Sequence, residues 1–485
     1  MNLKKLLENV DIIEIRGNND IEIENIKYNS KDVEMGDIFV AIKGSHFDGH
    51  NFIEDAIKKG ACAVVHQNNK TYSNITNIVV SESRKALAQL SDRFYNSPSK
   101  SLKLIGITGT NGKTTTSYLI KSIIETSGEK VGLLGTISYR IENECIDASL
   151  TTPESLEMHS FFNKINKLKA KYAVLEVSSH SLKQNRTYGL KFHSAVFTNI
   201  SRDHLDYHQN MEDYINSKLM LFAQLDDKGS FAIINTDDVV SERIIKNVKR
   251  NYFNYSITKK SDIYPINYEI NFNGIRLTAN TPKGEININS KLIGSFNIYN
   301  ILAAIGVGIG LDIDSDAIKR GIELIENVPG RAEKLELRQK YNIIIDYSHT
   351  PDSLFNIIST MKRITKGRVI AVFGCGGDRD KGKRPIMGRI AEENADITII
   401  TSDNPRTEDP NQIISDIVQG IKKKENIIQI PDRKKAIFKA LSIAEESDSV
   451  LILGKGHETY QIIGNKKIHF NDKEVVTEFF KKERN

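Results

Sequence analysis

The stretch GITGTNGKTTT, residues 106–116, contains the residue types of a phosphate-binding turn. An apolar run precedes it and a helical pattern follows it. Backbone N–H groups of a glycine-rich turn, the positive end of a helix and a lysine bind phosphate oxygens, and a threonine after the lysine can ligate magnesium. Because the first glycine of the strict pattern is missing, Gly109, Gly112, Lys113 and Thr114 form a shorter variant. The alternative is a glycine-rich turn that binds no ligand.

Two further side chains at the ends of apolar runs are candidate metal ligands. Glu176 lies at the end of YAVLEV, and a carboxylate there can hold a magnesium ion that bridges nucleotide and substrate. The alternative is a carboxylate that caps the next turn. His204 follows the run SAVFTNI. A lone histidine at such a position is more often structural than a ligand.

Lys218 lies in an apolar helical stripe. Helical spacing places it on one face with Met211, Ile215, Leu219 and Phe222. A lysine there must extend its ammonium to solvent, which is the common outcome, or lose its charge. A desolvated lysine is a better nucleophile, and it can add carbon dioxide to form a carbamate. The carbamate would be an anionic group for a second magnesium ion.

The stretch ITIITSDNPRTEDP, residues 397–410, ends an apolar run with an acidic turn bracketed by prolines. Arg406 is the arginine of that turn. Taken alone, it has two interpretations: a solvated charge on a surface loop, or a side chain that binds an anionic ligand.

The elements that position these residues follow one recurring pattern, in which a short apolar run precedes a polar or glycine-rich turn. Continuous apolar runs predict strands buried on both faces, and hence parallel α/β sheets. Ligands bind outside the carboxyl ends of such strands, where every polar cluster falls. The runs are residues 103–108, 172–177, 194–200, 231–235, 342–346, 369–373, 397–401 and 450–453.

Domain boundaries are predicted where proline, serine and glycine collect, at residues 97–101 and 326–331. Residues 261–295 alternate in polarity around Asn-Gly and Lys-Gly turns, which predicts antiparallel hairpins inserted in the central domain. The predicted fold is of the α/β class, with a smaller N-terminal α/β domain, a central P-loop-type ATPase domain and a C-terminal Rossmann-like domain. Their bounds are 1–98, 99–328 and 329–485.

Composition excludes several classes of protein. A net charge of +5 over 485 residues, with no basic run longer than Lys422–Lys424, argues against nucleic acid as the main partner. The three cysteines form no C-x-x-C pair, so we expect reduced thiols in a cytosolic protein rather than a zinc site or disulfides. No signal peptide and no membrane span is expected, since no apolar run reaches about 18 residues.

Eight motifs in order along the chain resemble those of the Mur ligases, which are cytosolic synthetases of peptidoglycan precursors, and they follow the MurE branch closely. The stretch 28–52 also resembles the uridine-nucleotide domain of that branch. The motifs are TGTNGKT (108–114), LEVSSHSL (175–182), NISRDHLDYH (199–208), GSFNIYNILAA (294–304), VPGR (328–331), DYSHTP (346–351), GCGGDRD (374–380) and KRP (383–385).

The resemblance implies a role for each matching residue, with ATP and Mg²⁺ as cofactors. ATP would be bound by Gly109, Thr110, Asn111, Gly112, Lys113, Thr114, Thr115, Asn297, Asn300, Arg331, Asp346 and His349. Magnesium would be held by Thr114, Glu176, His204 and Lys218, the last as a carbamate. Lys113, Glu176, His204 and Lys218 would be the catalytic residues. The UDP-muramoyl substrate would be bound by Ser30, Thr151, Thr152, Ser178, Gln184 and Arg186. The incoming amino acid would be bound by Arg384, Asp403, Asn404, Arg406, Gly454 and Glu458.

The chain departs from the family pattern at two places. Asn29 and Lys31 replace the usual aspartate and arginine beside Ser30, and lysine cannot reproduce the bidentate fork of arginine. The contacts of these two residues are therefore open. Ser348 stands where alanine is usual, and we expect this change to have little effect.

The activity implied is an ATP-dependent amide ligase that adds a third residue to UDP-N-acetylmuramoyl-L-alanyl-D-glutamate through an acyl phosphate. Meso-diaminopimelate is the expected amino acid, since L-lysine lacks the distal carboxylate and would leave Arg406 unpaired. Lanthionine stays open as a close analogue. Three rival hypotheses are a different ligase of the superfamily, such as a folate polyglutamate synthetase, a non-catalytic sensor and a P-loop ATPase. A monomer is the default oligomeric state.

Overall fold

The structure is a computed structural model that describes residues 1–44, 47–226 and 228–482. The chain divides into two compact units, each of which is built from several segments. The first unit is Met1–Gly106, Glu129–Ala195 and Ser217–Phe231, and the second is Ile107–Gly128, Val196–Asn216 and Ala232–Asn485.

The N-terminal part of the first unit is a five-stranded sheet in the order β1-β5-β4-β3-β2, parallel except for β1. The strand β3 is apolar on both faces, because Ile38 and Val40 enter one core while Phe39 enters another. The strands are β1 (Ile12–Arg16), β2 (Ile26–Lys27), β3 (Ile38–Val40), β4 (Ala63–His66) and β5 (Thr76–Val80). The helices are α1 (Leu3–Leu6), α2 (Ile53–Lys58) and α3 (Ser83–Phe94).

The middle of the chain contributes to both units. In the first unit, a buried strand, β10, pairs in parallel with β7, which continues into an antiparallel meander of β8 and β9. In the second unit, β12 and β13 are neighbours. The strands are β6 (Lys103–Thr108), β7 (Val131–Leu134), β8 (Ser138–Ile141), β9 (Glu144–Asp147), β10 (Tyr172–Glu176), β11 (Phe192–Phe197), β12 (Phe231–Asn235) and β13 (Asn251–Tyr255). The helices are α4 (Lys113–Thr126), α5 (Ser155–Lys167), α6 (Ser179–Lys183), α7 (Met211–Ala223) and α8 (Ser241–Asn247).

The predicted hairpins at residues 261–295 are confirmed as a three-stranded antiparallel sheet in the second unit. They precede an apolar helix that packs against α4, the helix that follows the glycine-rich turn. The strands are β14 (Tyr264–Asn271), β15 (Gly274–Thr281) and β16 (Gly284–Ser290), and the helices are α9 (Phe296–Gly310) and α10 (Ser315–Glu323).

The C-terminal part of the second unit is a six-stranded sheet in the order β17-β18-β22-β19-β20-β21, parallel except for β17. The strands are β17 (Glu333–Leu335), β18 (Asn342–Asp346), β19 (Val369–Phe373), β20 (Ile397–Ile400), β21 (Ile427–Gln429) and β22 (Ser449–Leu453), followed by the hairpin β23 (Tyr460–Ile463) and β24 (Lys466–His469). The helices are α11 (Pro351–Ile364), α12 (Lys383–Asn394), α13 (Pro410–Val418), α14 (Arg433–Ile443) and α15 (Asp472–Lys482).

Both faces of this C-terminal sheet are buried, as the continuous apolar runs predict. Val369, Ala371 and Phe373 pack under α11, α12 and α13, whereas Ile370 and Val372 pack under α14 and α15. Local sequence sets the helix starts. Thr350 and Ser353 form a capping box around the N-terminus of α11, whose first residue is a proline.

All eight apolar runs are strands, which confirms the α/β prediction. Within the described residues, no helix combines the length and the apolar character needed to cross a membrane.

Candidate functional site

The glycine-rich turn between β6 and α4 has a backbone that favours glycine at two positions. Gly109 has φ +151° and Gly112 has φ +87°. A Cβ atom at Gly109 would lie 1.9 Å from Thr198 Oγ1, and one at Gly112 would lie 2.4 Å from Asn300 Oδ1. At both glycines the turn is therefore in close contact with other segments of the protein, at Thr198 and Asn300, immediately before the start of α4.

Hydrogen bonds from asparagine and threonine side chains hold the turn in place. The backbone N–H of Asn111 donates to Asn199 Oδ1 at 3.0 Å, and Thr198 Oγ1 donates to the Asn111 carbonyl at 2.7 Å. The Asn111 side chain donates to Asp352 Oδ2 at 2.9 Å, and burial raises the pKa of that carboxyl. Thr110 Oγ1 lies 3.0 Å from the hydroxyl of Tyr214. These contacts fix the turn before any ligand binds.

Cationic groups stand at the mouth of the turn. Lys113 Nζ donates to the carbonyls of Gly109 and Thr110, at 2.8 and 2.9 Å. Arg331 donates to Thr114 Oγ1 at 3.1 Å, and its guanidinium lies over the ring of Tyr347, 4.5 Å from the centroid. If an anion bound at the turn, its oxygens would replace these two carbonyls as the hydrogen-bond acceptors of Lys113. Thr115, the next hydroxyl of α4, is 3% exposed.

Asn297 and Asn300 lie behind the turn and are buried. Asn300 donates to Asn297 Oδ1 at 2.8 Å, and Asn297 donates to the Ile293 carbonyl at 2.7 Å. Thr116 Oγ1 donates to Asn300 Oδ1 at 3.3 Å. The side-chain amides of Asn297 and Asn300 are therefore hydrogen-bonded to protein atoms, and one of these bonds joins Asn300 to α4 through Thr116.

Asp346 and His349 lie at the end of β18. Asp346 accepts hydrogen bonds from Ala332 N at 2.6 Å and from Ser348 Oγ, and burial raises the pKa of its carboxyl. The serine that replaces the family's alanine thus adds a contact to Asp346. His349 Nδ1 lies 2.8 Å from the carbonyl of Tyr347.

His204 has a left-handed backbone, with φ +55°. Its Nε2 lies 3.3 Å from Asp203 Oδ2, and His349 Nε2 lies 3.7 Å from the same oxygen. Burial would raise the pKa of the Asp203 carboxyl, but His204 and His349 hold it well below its ordinary value. The structure therefore brings His204 and His349 together around a carboxylate that sequence reasoning did not single out.

In the first unit, Glu176 is fully buried at the end of β10. It accepts hydrogen bonds from the backbone N–H of Thr136 at 3.0 Å and from its hydroxyl at 2.8 Å. The following helix, α6, is capped by Ser178. Lys218 is 2% exposed, so its side chain does not extend to solvent. Of the two outcomes expected for a lysine in this stripe, extension to solvent is therefore excluded.

The donor chemistry of the candidate magnesium ligands fits the ion. The Thr114 hydroxyl, the Glu176 carboxylate and the oxygens of a carbamate on Lys218 are hard oxygen donors of the type magnesium prefers. No group of three or more histidine, cysteine, aspartate or glutamate side chains suited to a metal ion occurs in the described part of the chain. The candidate set has only two residues of those types, Glu176 and His204, and depends on the hydroxyl and the carbamate.

The candidate substrate-binding residues of the first unit largely come together. Arg186 donates to the Thr152 carbonyl at 2.8 Å and to Gln184 Oε1 at 2.6 Å. Ser178 N donates to Thr152 Oγ1 at 3.1 Å, and Thr136 Oγ1 lies 3.1 Å from Thr151 Oγ1. A guanidinium and several hydroxyls are thus clustered at the end of β10.

Ser30 lies in a 3₁₀ turn at Ser30–Asp32, in the N-terminal part of the first unit. Asn29 takes the capping role at that turn, accepting from Lys31 N at 3.1 Å. Lys31 is exposed, and its carbonyl accepts from Lys59 Nζ at 2.7 Å. The replaced aspartate position thus keeps its cap, because asparagine and aspartate cap equally well.

Four of the candidate amino-acid ligands meet at the carboxyl ends of β20 and β22. Asn404 donates to Glu458 Oε2 at 2.9 Å. Gly454 has φ +108°, and a Cβ there would lie 2.7 Å from Asp403 Oδ2. That oxygen is buried and has no hydrogen-bond partner within residues 1–44, 47–226 and 228–482. This oxygen is therefore available to accept a hydrogen bond from a bound ligand.

Arg406 borders the same site. Its backbone has φ +52°, and its guanidinium donates to the Gly377 carbonyl at 2.7 Å. Its backbone N–H donates to the Ile462 carbonyl at 3.0 Å, which ties the turn to the hairpin of β23 and β24. The side chain is partly exposed, so it stands at the edge of the site.

Arg384 lies in a different environment. It is fully buried on α12, donates to both oxygens of Glu408 at 2.9 Å and donates to Asp416 at 2.8 Å. These hydrogen bonds lower the pKa of the Glu408 carboxyl to about 2. Two protein carboxylates already compensate this guanidinium, so a ligand carboxylate would have to compete with them.

Sequence reasoning missed three buried charges beside the candidate amino-acid site. Lys455 is fully buried next to Glu458, with Nζ 2.7 Å from Oε2. Arg433 and Asp472 form a buried bidentate pair, with distances of 2.8 and 2.7 Å. Lys455 had a sequence signal, because it stands between two glycines directly after an apolar run. The other pair had none, since its members are 39 residues apart.

Comparisons with known proteins agree with one another. Three family models match the chain: "Mur ligase family, catalytic domain" at residues 22–95, "Mur ligase middle domain" at 107–308, and "Mur ligase, glutamate ligase domain" at 330–456.

Named relatives match nearly the whole chain. A protein of Clostridium tetani named UDP-N-acetylmuramoyl-L-alanyl-D-glutamate–2,6-diaminopimelate ligase is 46% identical over 485 residues, which cover 99% of each chain. A protein of Clostridium perfringens with the same name is 46% identical over 98% of this chain and 99% of its own. A solved structure with that name is similar with a TM-score of 0.70 and 32% identity, covering 100% of this chain and 99% of its own. The chain therefore belongs to the Mur ligase family.

Proposed function

We propose that the protein is an ATP-dependent amide ligase that joins diaminopimelate to UDP-N-acetylmuramoyl-L-alanyl-D-glutamate. The observation that carries the nucleotide half is the convergence of the Lys113 ammonium, the Thr114 hydroxyl and the Arg331 guanidinium at a rigid glycine-rich turn. The substrate half is supported by relatives of that name that are 46% identical to this chain.

The reaction would proceed in two steps. The γ-phosphoryl group of ATP passes to the γ-carboxylate of the D-glutamyl residue, which gives ADP and an acyl phosphate. An amine of the amino acid then attacks the acyl carbon, loses a proton, and expels inorganic phosphate from a tetrahedral intermediate. The first step is needed because a carboxylate is a poor electrophile at neutral pH.

Two cationic side chains of the protein, Lys113 and Arg331, would stabilise the negative charge of the phosphates. Lys113 would leave the carbonyls of Gly109 and Thr110 and bind phosphate oxygens, and the N–H groups at the start of α4 would add to the positive potential. Arg331 would approach the same oxygens from its position over Tyr347. Such preorganised donors stabilise the charge that spreads over a transferring phosphoryl group.

Magnesium, when bound, would neutralise phosphate charge, and Thr114, Glu176, His204 and Lys218 as a carbamate would hold it. Lys218 is the one residue of this set that needs modification. The burial of Lys218 supports the assignment, because a side chain that is 2% exposed does not extend to solvent and can face a ligand inside the protein.

The remaining assignments follow the domains expected from the sequence. Residues 1–98 would bind the uridine nucleotide, 99–328 ATP and 329–485 the amino acid. The proposal includes a monomer in the cytoplasm, where ATP and nucleotide-linked precursors are available.

The choice of amino acid would depend on the region around Asp403 and Arg406. The unpartnered oxygen of Asp403 suits an ammonium group, and Arg406 suits a carboxylate. A diamino dicarboxylic acid satisfies both residues, whereas L-lysine leaves the arginine without an anion. We therefore favour meso-diaminopimelate over L-lysine, with lanthionine as a close analogue.

A phosphate-release assay with wild-type protein tests the proposed function. We expect release only when ATP, UDP-muramoyl dipeptide and an amino acid are all present. A panel of meso-diaminopimelate, lanthionine and L-lysine identifies the third substrate. Release without amino acid would indicate an ATPase, absence of release with all substrates would indicate a binding protein, and a requirement for a different acceptor would indicate another ligase of the superfamily.

Replacing Arg406 with alanine tests the assigned role of that residue. We expect the KM for diaminopimelate to rise about 10- to 100-fold and the KM for ATP to change less than about twofold, because only the amino acid loses a charged partner. Steady-state kinetics in each substrate measure the two values. Arg389→Ala is the matched control, since Arg389 is an exposed arginine on α12. Equal rises in both KM values would contradict the assignment.

A further inference from the structure

Lys455 is a buried lysine to which neither the motifs nor the proposed mechanism gives a role. It lies two residues after the end of β22, and its side chain is 0% exposed. A buried ammonium is costly unless it is paired and hydrogen-bonded. Its Nζ lies 2.7 Å from Glu458 Oε2 and 3.2 Å from Asn404 Oδ1, and 5.5 Å from the centroid of the Tyr460 ring. The charge is therefore fully accommodated inside the amino-acid site.

The three polar side chains form a closed triangle. Lys455 donates to Glu458 and to Asn404, and Asn404 Nδ2 donates to the same Glu458 oxygen at 2.9 Å. An ammonium has only donors, so Asn404 must turn its oxygen toward the lysine and its NH₂ toward the glutamate. The backbone N–H of Ile462, a second donor to Asn404 Oδ1 at 2.9 Å, reinforces this orientation. Lys455 thus fixes the orientation of two candidate ligand contacts.

The triangle also divides the acceptors of the site into two kinds. Glu458 Oε2 already accepts from an ammonium and an amide. Asp403 Oδ2, by contrast, is a buried oxygen that lacks a hydrogen-bond partner throughout the described chain. A ligand ammonium therefore gains most at Asp403, because Glu458 is already compensated by Lys455.

We propose that Lys455 is a positioning residue of the amino-acid site, which holds Glu458 and Asn404 in their binding geometry and leaves Asp403 as the acceptor for a ligand ammonium. This inference rests on the proposed function. Lys455 acts through its two neighbours and takes no part in phosphoryl transfer. Its loss should affect the amino acid and spare ATP.

Kinetics of Lys455→Met test the proposal. We expect the KM for diaminopimelate to rise about tenfold or more and the KM for ATP to change less than about twofold, because Glu458 and Asn404 lose their common donor. Lys467→Met is the matched control. Lys467 is an exposed lysine on β24 whose Nζ lies 3.9 Å from the Tyr460 ring centroid, and we expect no change in either KM.

A double variant separates positioning from general damage. If Lys455 acts through Glu458, Lys455→Met combined with Glu458→Gln should have a KM for the amino acid no higher than the worse single variant. Effects that multiply would overturn the proposal, as would equal rises in the KM of ATP and amino acid. Should Lys455→Met fail to fold, Lys455→Gln replaces it. Its amide is neutral and one bond shorter, so it should not keep both contacts, and the KM for the amino acid should still rise. An unchanged KM for the amino acid in Lys455→Gln would likewise overturn the proposal.

Wild-type protein measured in the same assay keeps the two proposals apart. Absence of amino-acid-dependent phosphate release in the wild type would overturn the proposed ligase function. Normal wild-type release without the expected separation of KM values in the variants would overturn only the role of Lys455.

Discussion

The glycine-rich turn and the candidate amino-acid site are built by opposite means. The turn at Gly109–Gly112 depends on backbone conformation and on neutral asparagine and threonine side chains that press against it. The amino-acid site depends on buried charges that compensate one another, from Lys455 and Glu458 to the deeper pair of Arg433 and Asp472. Substitutions at the turn are therefore restricted by the space available, whereas substitutions at the amino-acid site are restricted by the need to compensate buried charges.

This difference predicts different ways to damage each site. Adding a single methyl group should displace the turn without unfolding the protein, because the steric clash is local. Removing one charge from the amino-acid site should destabilise its surroundings, because the remaining partner stays buried without compensation. Three substitutions test this comparison, from the largest expected effect to the smallest.

Arg433→Met should have the largest effect on stability. Arg433 binds Asp472 and also donates to the carbonyls of Leu453 at 3.0 Å and Ser402 at 3.4 Å, which lie at the ends of β22 and β20. Leaving Asp472 buried and unpaired should cost about 3–5 kcal/mol of unfolding free energy. Urea denaturation followed by circular dichroism measures the loss.

Lys434→Met is the control for that substitution. Lys434 is the next residue along α14, and its ion pair with Glu478 at 2.7 Å is partly exposed. We expect a loss below about 1 kcal/mol, since exposed ion pairs contribute little. A similar loss in both variants would show that the buried charge is not what sets the stability of the C-terminal sheet.

Gly109→Ala should chiefly reduce activity. The added Cβ would lie 1.9 Å from Thr198 Oγ1 on a backbone with φ +151°, so the turn must shift. We expect phosphate release to fall about 100-fold or more, because a displacement near 1 Å in a positioned site has that effect. Gly128→Ala is the control. Its φ is +89° with nothing within 4 Å of the added atom, so it has the backbone strain without the collision. Equal activity of the two variants would contradict the steric account.

Glu408→Gln should have the smallest effect, and that effect should depend on pH. The Arg384 hydrogen bonds lower the pKa of Glu408 to about 2, from an ordinary value of 4.5. A carboxylate with a lowered pKa in the folded state contributes stability above its unfolded pKa and loses that contribution as the pH falls toward its folded pKa. At pH 7 the variant should therefore lose about 1–2 kcal/mol, after allowance for partial solvent screening.

Urea denaturation at pH 7 and pH 3 measures that dependence. The difference between wild type and Glu408→Gln should shrink at pH 3, where part of the contribution of Glu408 is already lost. Glu336→Gln, a change at a side chain that is 77% exposed, should show no such difference. A gap between wild type and Glu408→Gln that is equally large at both pH values would contradict the assigned linkage.

Much of the fold could be predicted from the sequence. Every apolar run became a strand, and residues 261–295 became hairpins, because buried parallel strands and exposed antiparallel strands leave different hydrophobic patterns. The glycine-rich turn could be located for the same reason. Its glycines, lysine and threonine are contiguous, so local spacing contains most of the information.

The candidate site could be predicted only in part. The chain positions of Asp403 and Glu458 were identified, but their environments were not. The sequence left Arg384 free to clasp a ligand carboxylate, whereas the structure surrounds it with Glu408 and Asp416. The sequence also left open whether Lys218 reaches solvent, and the structure buries it.

By itself, the sequence determined the α/β class, the position of the glycine-rich turn and the family, since these depend on periodicity and on short contiguous motifs. Only the tertiary structure decided which charges compensate one another. Lys455 meets Asn404 across 51 positions and Arg433 meets Asp472 across 39. The physical reason is that the cost of burying a charge depends on what packs within a few ångströms of it, and local sequence patterns do not specify contacts between distant segments.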